Sequence, residues 1–268
     1  MDARGRSSQF RKAATIVLFT LVASAVFRTF FFATFVIPSQ SMMPGLVTGD
    51  FFVASKWSYG YSRYSFSSRL PLFKGRFPDR LPEIGDVVIL AGVSDPGTTY
   101  VKRVMALPGD VFEMRRGRVI LNGRELPQRR ISDFVLPLGP NVICLSIPGL
   151  IDLRALTADG RPGCKFLRYV ETLPSGRTHQ VLDFAVTYTD TFAPVRVPAG
   201  HVMLIGDNRD DSLDSRIPLS KGGLGMVPTD RLLGKSRSII FSSDGTGSFV
   251  RPWTWQSSFR PERLGPVR

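Results

Sequence analysis

The sequence predicts a mostly β fold: an antiparallel β domain with an inserted second lobe, tethered by an N-terminal transmembrane helix. Three observations predict it. Short β-branched or aromatic runs bounded by turn residues recur from residue 51 to residue 241. No long amphipathic helical pattern follows residue 40. One charge-free apolar run, residues 13–27, lies near the front behind a basic start.

That front comes first. Residues 1–12 carry Arg4, Arg6, Arg11 and Lys12 against one acid, Asp2, and the run AATIVLFTLVASAVF follows. As a helix this run rises about 22 Å, short of a hydrocarbon core of about 30 Å. Arg28 can snorkel to the far interface, and the Phe-rich TFFFATFVI then lies in or near it. The basic start places residues 1–12 in the cytoplasm and residues 13–28 across the membrane. Ala23-Ser24-Ala25 also fits a cleavable secretory signal, and both readings export residues 39–268.

The strands follow in order: FFVAS (51–55), DVVIL (86–90), TYVKRVMA (99–106), VFEM and RVIL (within 111–121), HVMLI (201–205) and RSIIF (237–241). Pro108-Gly109-Asp110 and Asn122-Gly123 are turns between them. These runs assign the β domain to residues 29–121 and 197–250. Across 122–196 the pattern loosens into Pro, Gly and both cysteines, which reads as the inserted lobe. Residues 59–80, rich in Ser, Arg and aromatics, read as an exposed loop. Residues 251–268, with Trp253, Trp255 and several arginines, read as a basic aromatic tail: a loose solvated end, with a membrane-interface role as the alternative.

Bulk composition narrows the function classes. With 43% hydrophobic and 21% charged residues, global disorder is excluded. The net charge of +13 suits either nucleic acid or anionic lipid, and the membrane run selects lipid. Cys144 and Cys164 are the two cysteines, and in an oxidising compartment they are candidates for one disulfide; two buried free thiols are the alternative.

Elimination then limits the chemistry. His179 and His201 are the only histidines, with no HExxH and no Cys/His cluster, so no metal is expected, and no cofactor either. GxSxG, Walker-type and Ser-x-x-Lys patterns are absent. A Ser-His-Asp triad would need His179 from the loose lobe or His201 from the head of an apolar strand.

A serine served by a lysine remains. In FVIPSQSMMPGL, Ser39 and Ser41 sit between Pro38 and Pro44, which alone is ordinary turn chemistry. In TTYVKRVMALPGD, Lys102 shares a strand face with Tyr100 and Val104, while Arg103 points away with Val101 and Met105. Burial there lowers a lysine's pKa, whereas arginine keeps its proton and cannot act as a base. Taken alone, Lys102 reads as a strand lysine snorkelling to solvent. GDNRDDSLDSR (206–216), taken alone, reads as a polar turn with surface ion pairs.

Together, in this order, these three stretches resemble the bacterial type I signal peptidase (leader peptidase) family, peptidase family S26. The resemblance implies a membrane serine endopeptidase with a Ser/Lys dyad on a β catalytic domain, and favours a retained anchor. Ser41 matches the nucleophile, Lys102 the general base, and Ser39 the hydroxyl that joins the Ser41 backbone N–H in the oxyanion hole. Ser212 matches the residue that orients the lysine amine, and Asp214 with Arg216 a supporting ion pair. Implied substrates are preprotein signal peptides with small residues at −1 and −3. The implied place is the inner membrane, catalytic domain periplasmic, against anionic lipid and close to the secretion translocon. Gly45 and Ala106 depart from the family's usual threonine and glycine, and IPLSKGGLGMVP after Arg216 is longer than usual. Two alternatives stand beside this reading: a specialised pilin-processing peptidase of the same family, and a non-catalytic exported basic protein whose mature chain starts at Val26.

Overall fold

The computed structural model describes residues 3–66, 75–142, 144, 146–147, 151–248 and 250–267. Helix α1 (Ala3–Phe30) runs 28 residues, because past Gly5 neither glycine nor proline interrupts the chain before Pro38. Its stretch Arg11–Phe30 is 20 residues long, is exposed along its length and is apolar enough to cross a membrane; only its C-terminal end touches the β domain, where Phe30 packs on Tyr61 and Phe66. At about 1.5 Å per residue it spans about 30 Å, so the shortfall of the run 13–27 disappears once the helix continues on both sides.

In chain order the principal strands are β1 (Phe32–Val36), β2 (Asp50–Ser55), β3 (Val87–Ala91), β4 (Thr99–Ala106), β5 (Val111–Arg115), β6 (Arg118–Leu121), β7 (Gln128–Pro137), β8 (Arg154–Leu156), β9 (Pro162–Thr172), β10 (Thr178–Leu182), β11 (Phe192–Arg196), β12 (His201–Ile205), β13 (Val227–Pro228), β14 (Leu232–Ser242) and β15 (Gly265–Pro266). The fold is mostly β and its strand pairs are antiparallel, as the sequence predicts. The main sheet runs β1-β2-β14-β3-β4-β12-β13, with β15 added to β14. All five residues of β3 are buried, because apolar clusters cover both of its faces. Val88 and Leu90 pack with Val104 and Leu204; Val87 and Ile89 pack with Ile37, Met42, Leu46 and Phe52.

A second sheet, β11-β5-β6 with Arg124–Glu125, packs on a cluster that includes Met105, Phe112 and Met203. Its strand β11 lies within the span 122–196 yet pairs with β5, register Arg196↔Val111. Four further strands of that span form a third sheet, β7-β9-β8 with β10 on β9, and Ser146–Ile147 pairs separately with Ile151–Asp152. This lobe has its own core of Leu136, Val142, Leu153, Cys164, Phe166 and Leu182. A disulfide joins Cys144 to Cys164, with Cα atoms 5.4 Å apart.

Three readings of the sequence need correction. TFFFATFVI does not simply lie at an interface: β1 is the edge strand of the main sheet, with Phe35 opposite Phe52. The described part of residues 59–80 is not an exposed loop. Arg76 is buried and donates to the carbonyls of Gly60, Thr229 and Leu232, while Tyr59 donates to Asp86; residues 67–74 lie outside the described residues. The tail is not a loose end either, because β15 pairs with β14 and Phe259 stacks on Phe241 at 5.5 Å.

Candidate active site

Residues 37–49 form a loop closed at its base, where Ile37 N–H donates to Asp50 O and Gly49 N–H to Ile37 O. Inside it, Met43 N–H donates to Gln40 O and Leu46 N–H to Met42 O, which winds the chain tightly. Four apolar side chains pin this turn. Met42 and Leu46 enter the main-sheet cluster, and Met43 and Val47 enter the core of the lobe. Ser39 and Ser41 are left at the surface, their hydroxyls 3.4 Å apart. Gly49 has φ +88°, and a Cβ there would fall 2.1 Å from Ser243 O, so only glycine fits.

Lys102 lies in β4, paired with Val88, and is 3% exposed. Its Nζ is hydrogen-bonded to Ser41 Oγ at 2.7 Å. Burial pulls its pKa down to about 8, against the opposing pull of Asp214, Asp207 and Asp211. Arg103 points the other way and forks onto Asp207 with two bonds of 2.7 Å.

The ion-pairing residues of the segment after β12 are buried, which corrects its reading as a turn with surface ion pairs. Asp207, Asn208, Arg209 and Asp214 are each at most 1% exposed. Asn208 N–H donates to Ser41 O at 3.1 Å, and its Nδ2 to Gln40 O at 3.2 Å. A Cβ on Gly206 would sit 2.5 Å from Ser41 O and 2.3 Å from Ser212 Oγ, so a glycine is needed for this approach. Ser212 is buried beside that glycine, but its Oγ makes no hydrogen bond; the lysine amine meets Ser41 instead.

Asp214 and Arg216 form a fully buried fork at 2.9 and 2.8 Å. Burial pushes the Asp214 carboxyl upward, but Arg216 and the Gly206 and Arg216 N–H donors outweigh it and hold it below the usual range.

Sequence reasoning missed a second buried group. Arg209 donates to Glu171 at 2.7 Å, and His179 Nε2 lies 3.3 Å from the same carboxylate. Burial disfavours the Glu171 charge, yet Arg209 and His179 prevail and hold it at about 2. His179 is therefore not in a loose segment: β10 buries it, and burial with Arg103 nearby lowers its pKa. The motif residues Asp207 and Arg209 carried the signal, since charges this dense beside an apolar strand need buried partners. His201 Nδ1 lies 3.0 Å from Ala199 O. Elsewhere Asp183, Asp190 and Asp210 bring carboxylate oxygens within 4.8 Å of one another. Backbone donors meet part of that charge: Phe184 and Ala185 N–H donate to Asp210, and Thr187 N–H to Asp190.

The family profile described as signal peptidase, peptidase S26, matches residues 10–241. The chain belongs to the signal peptidase family. Signal peptidase I of Rickettsia typhi is 31% identical over 234 residues, covering 84% of this chain and 78% of the relative. That of Rickettsia akari is 30% identical, covering 84% and 77%. A solved signal peptidase I from Enterococcus faecalis is similar at 18% identity, covering 58% of this chain and 97% of its own, with a TM-score of 0.30; at that score it adds nothing to what the strands establish. As a signal peptidase the chain is a serine peptidase of family S26, and the family's membrane anchorage agrees with the apolar helix α1.

Proposed function

We propose that this signal peptidase is tethered by α1 and cuts preproteins after small residues, with Ser41 as nucleophile and Lys102 as general base. The observation that carries this is the 2.7 Å hydrogen bond between Lys102 Nζ and Ser41 Oγ, made by a lysine buried to 3% exposure. A buried amine with a pKa near 8 is neutral in a useful fraction at physiological pH, so it can take the hydroxyl proton.

The steps follow from that contact. Lys102 accepts the Ser41 proton as Oγ bonds to the scissile carbonyl carbon. The Ser39 hydroxyl and the Ser41 N–H stabilise the oxyanion. The Lys102 ammonium returns its proton to the leaving amine as the C–N bond breaks, and the mature chain departs. Water, deprotonated by Lys102, then cleaves the acyl ester and frees the signal peptide. Asn208 supports this by holding the Ser41 and Gln40 carbonyls, and the Asp214–Arg216 pair supports the loop beneath.

The N-terminus lies in the cytoplasm and the catalytic domain on the periplasmic side, from the basic residues ahead of the helix. Phe31, Val36, Phe51, Ile240 and Phe241 leave an exposed apolar surface on the sheet that follows the anchor. That surface, with the positive charge, favours apposition to anionic lipid where tethered precursors emerge. Incubation of the detergent-solubilised protein with an Ala-x-Ala preprotein, with N-terminal sequencing of the product, tests the activity. No cut after the second alanine refutes it. Intact mass of the membrane-extracted chain tests the tether, and a mature chain starting at Val26 refutes it.

A further inference from the structure

The chain beyond β14 folds back over the loop that carries Ser41. Arg260 N–H donates to Ser242 O, Val267 N–H to Arg237 O, and β15 pairs with β14. Residues 259–267 thus form a strap fixed by backbone bonds. Two guanidinium groups reach inward from it. Arg260 donates to Thr48 O and Ser243 O, each at 2.8 Å. Arg263 donates to Pro44 O at 3.1 Å, Gly45 O at 2.9 Å and Asp50 Oδ2 at 2.6 Å. Asp50 is fully buried and also accepts Val47 N–H at 2.8 Å and the Ser242 hydroxyl at 2.6 Å.

Carbonyls or amides at positions 44, 45, 47 and 48 are therefore tied to two tail arginines and one carboxylate. A planar guanidinium can hold two carbonyls and a carboxylate at once in fixed directions, which a lysine cannot. The family match ends at residue 241, so the strap lies outside it.

We propose that Arg263, locked by Asp50, is a positioning residue that sets the Ser41 loop at its working distance from Lys102. The inference rests on the reading of Ser41 as nucleophile. The Ser41 carbonyl is held from one side by Asn208, and the strap holds the loop from the other end. Release of either end lets the 2.7 Å contact with Lys102 lengthen.

The test is steady-state cleavage of an Ala-x-Ala preprotein by the full-length, detergent-solubilised chain, with rates expressed per folded molecule by circular dichroism. Arg263→Ala is expected to lower kcat up to about 100-fold, the scale of an ångström-sized misplacement, with KM within about twofold. Millimolar guanidinium is expected to restore part of that kcat, and not to affect wild type. Arg263→Lys, which keeps charge and stem, is expected to stay well below wild type. Wild-type kcat per folded molecule in either variant overturns the proposal. So does a loss in Arg263→Ala that guanidinium leaves unchanged, because the strap is then only a structural brace. Controls separate this from the reading beneath it. If wild type does not cut, or Ser41→Ala cuts normally, the nucleophile assignment fails; if both controls behave and the Arg263 variants are normal, only the positioning role fails.

Discussion

Lys102 makes a single structural fact into a pH dependence. Its burial lowers the pKa to about 8, and the base must be neutral, so kcat is expected to rise with pH through about 8 and then level. Lys102→Arg is expected to be as inactive as Lys102→Ala, because guanidinium keeps its proton. Ser41→Ala is expected to be equally inactive, and the double variant no worse, since the pair acts as a unit. Ser39→Ala removes one oxyanion donor and is expected to lose about 10²–10³ in rate while still turning over. A pH–rate profile on preprotein reads all of this; near-normal cleavage by folded Lys102→Arg refutes the base.

The same lysine also weakens the fold. Its folded pKa lies below its ordinary 10.5, so the unfolded chain holds the proton more tightly. Stability from this group is complete above about 10.5 and is lost as pH falls to about 8. Lys102→Met is therefore expected to gain about 2 kcal/mol below pH 8, after the lost Ser41 bond is allowed for. The gain is expected to shrink towards pH 10. Thermal melts at pH 6.5 and 10 check the sign at both ends.

At the scale of elements, the segment joining β12 to the site works as a wedge of buried charge. It pairs Asp207 with Arg103 of β4 and Arg209 with Glu171 of β9, so one turn fastens the main sheet to the inserted lobe. Removal of one member leaves the other buried without its counter-charge. Glu171→Ala is expected to cost about 3–5 kcal/mol, read by chemical denaturation. His179 adds an acid limit: its folded pKa lies below its ordinary 6.5, so stability is intact above 6.5 and falls as pH drops. His179→Gln is expected to flatten that fall below pH 6.5 without a change in cleavage chemistry. A steep unchanged fall assigns the acid sensitivity elsewhere.

On the scale of the whole molecule, the Ser41 loop is where the parts meet. Main-sheet and lobe cores each take two of its apolar side chains, and the tail strap takes its carbonyls. The Cys144–Cys164 bridge lies in the lobe core, 20 residues apart in sequence. Its reduction is expected to cost about 3 kcal/mol in the chain-entropy account and, through Met43 and Val47, to loosen the loop. A reduced protein with unchanged melting and unchanged kcat rules out this coupling.

Local elements and the residue types of the site are legible in the order of residues along the chain. Alternating and β-branched runs marked the strands, because period-two patterning is a property of neighbours along the chain. An uncharged run behind basic residues marked the helix for the same reason. Elimination leaves a serine served by a lysine, and the choice of Ser41 with Lys102, 61 residues apart in the chain, comes from the family resemblance that their short boxes carry. Which charges are buried, and what they face, is set by packing between distant parts of the chain. Glu171, His179 and Arg209 come from separate elements, and burial is created by packing, not by composition. The tail's Gly, Ser and Arg content carries no periodicity and so predicts a loose end. Its order comes from Asp50, more than two hundred residues earlier, whose buried carboxylate needs the guanidinium that only folding brings to it.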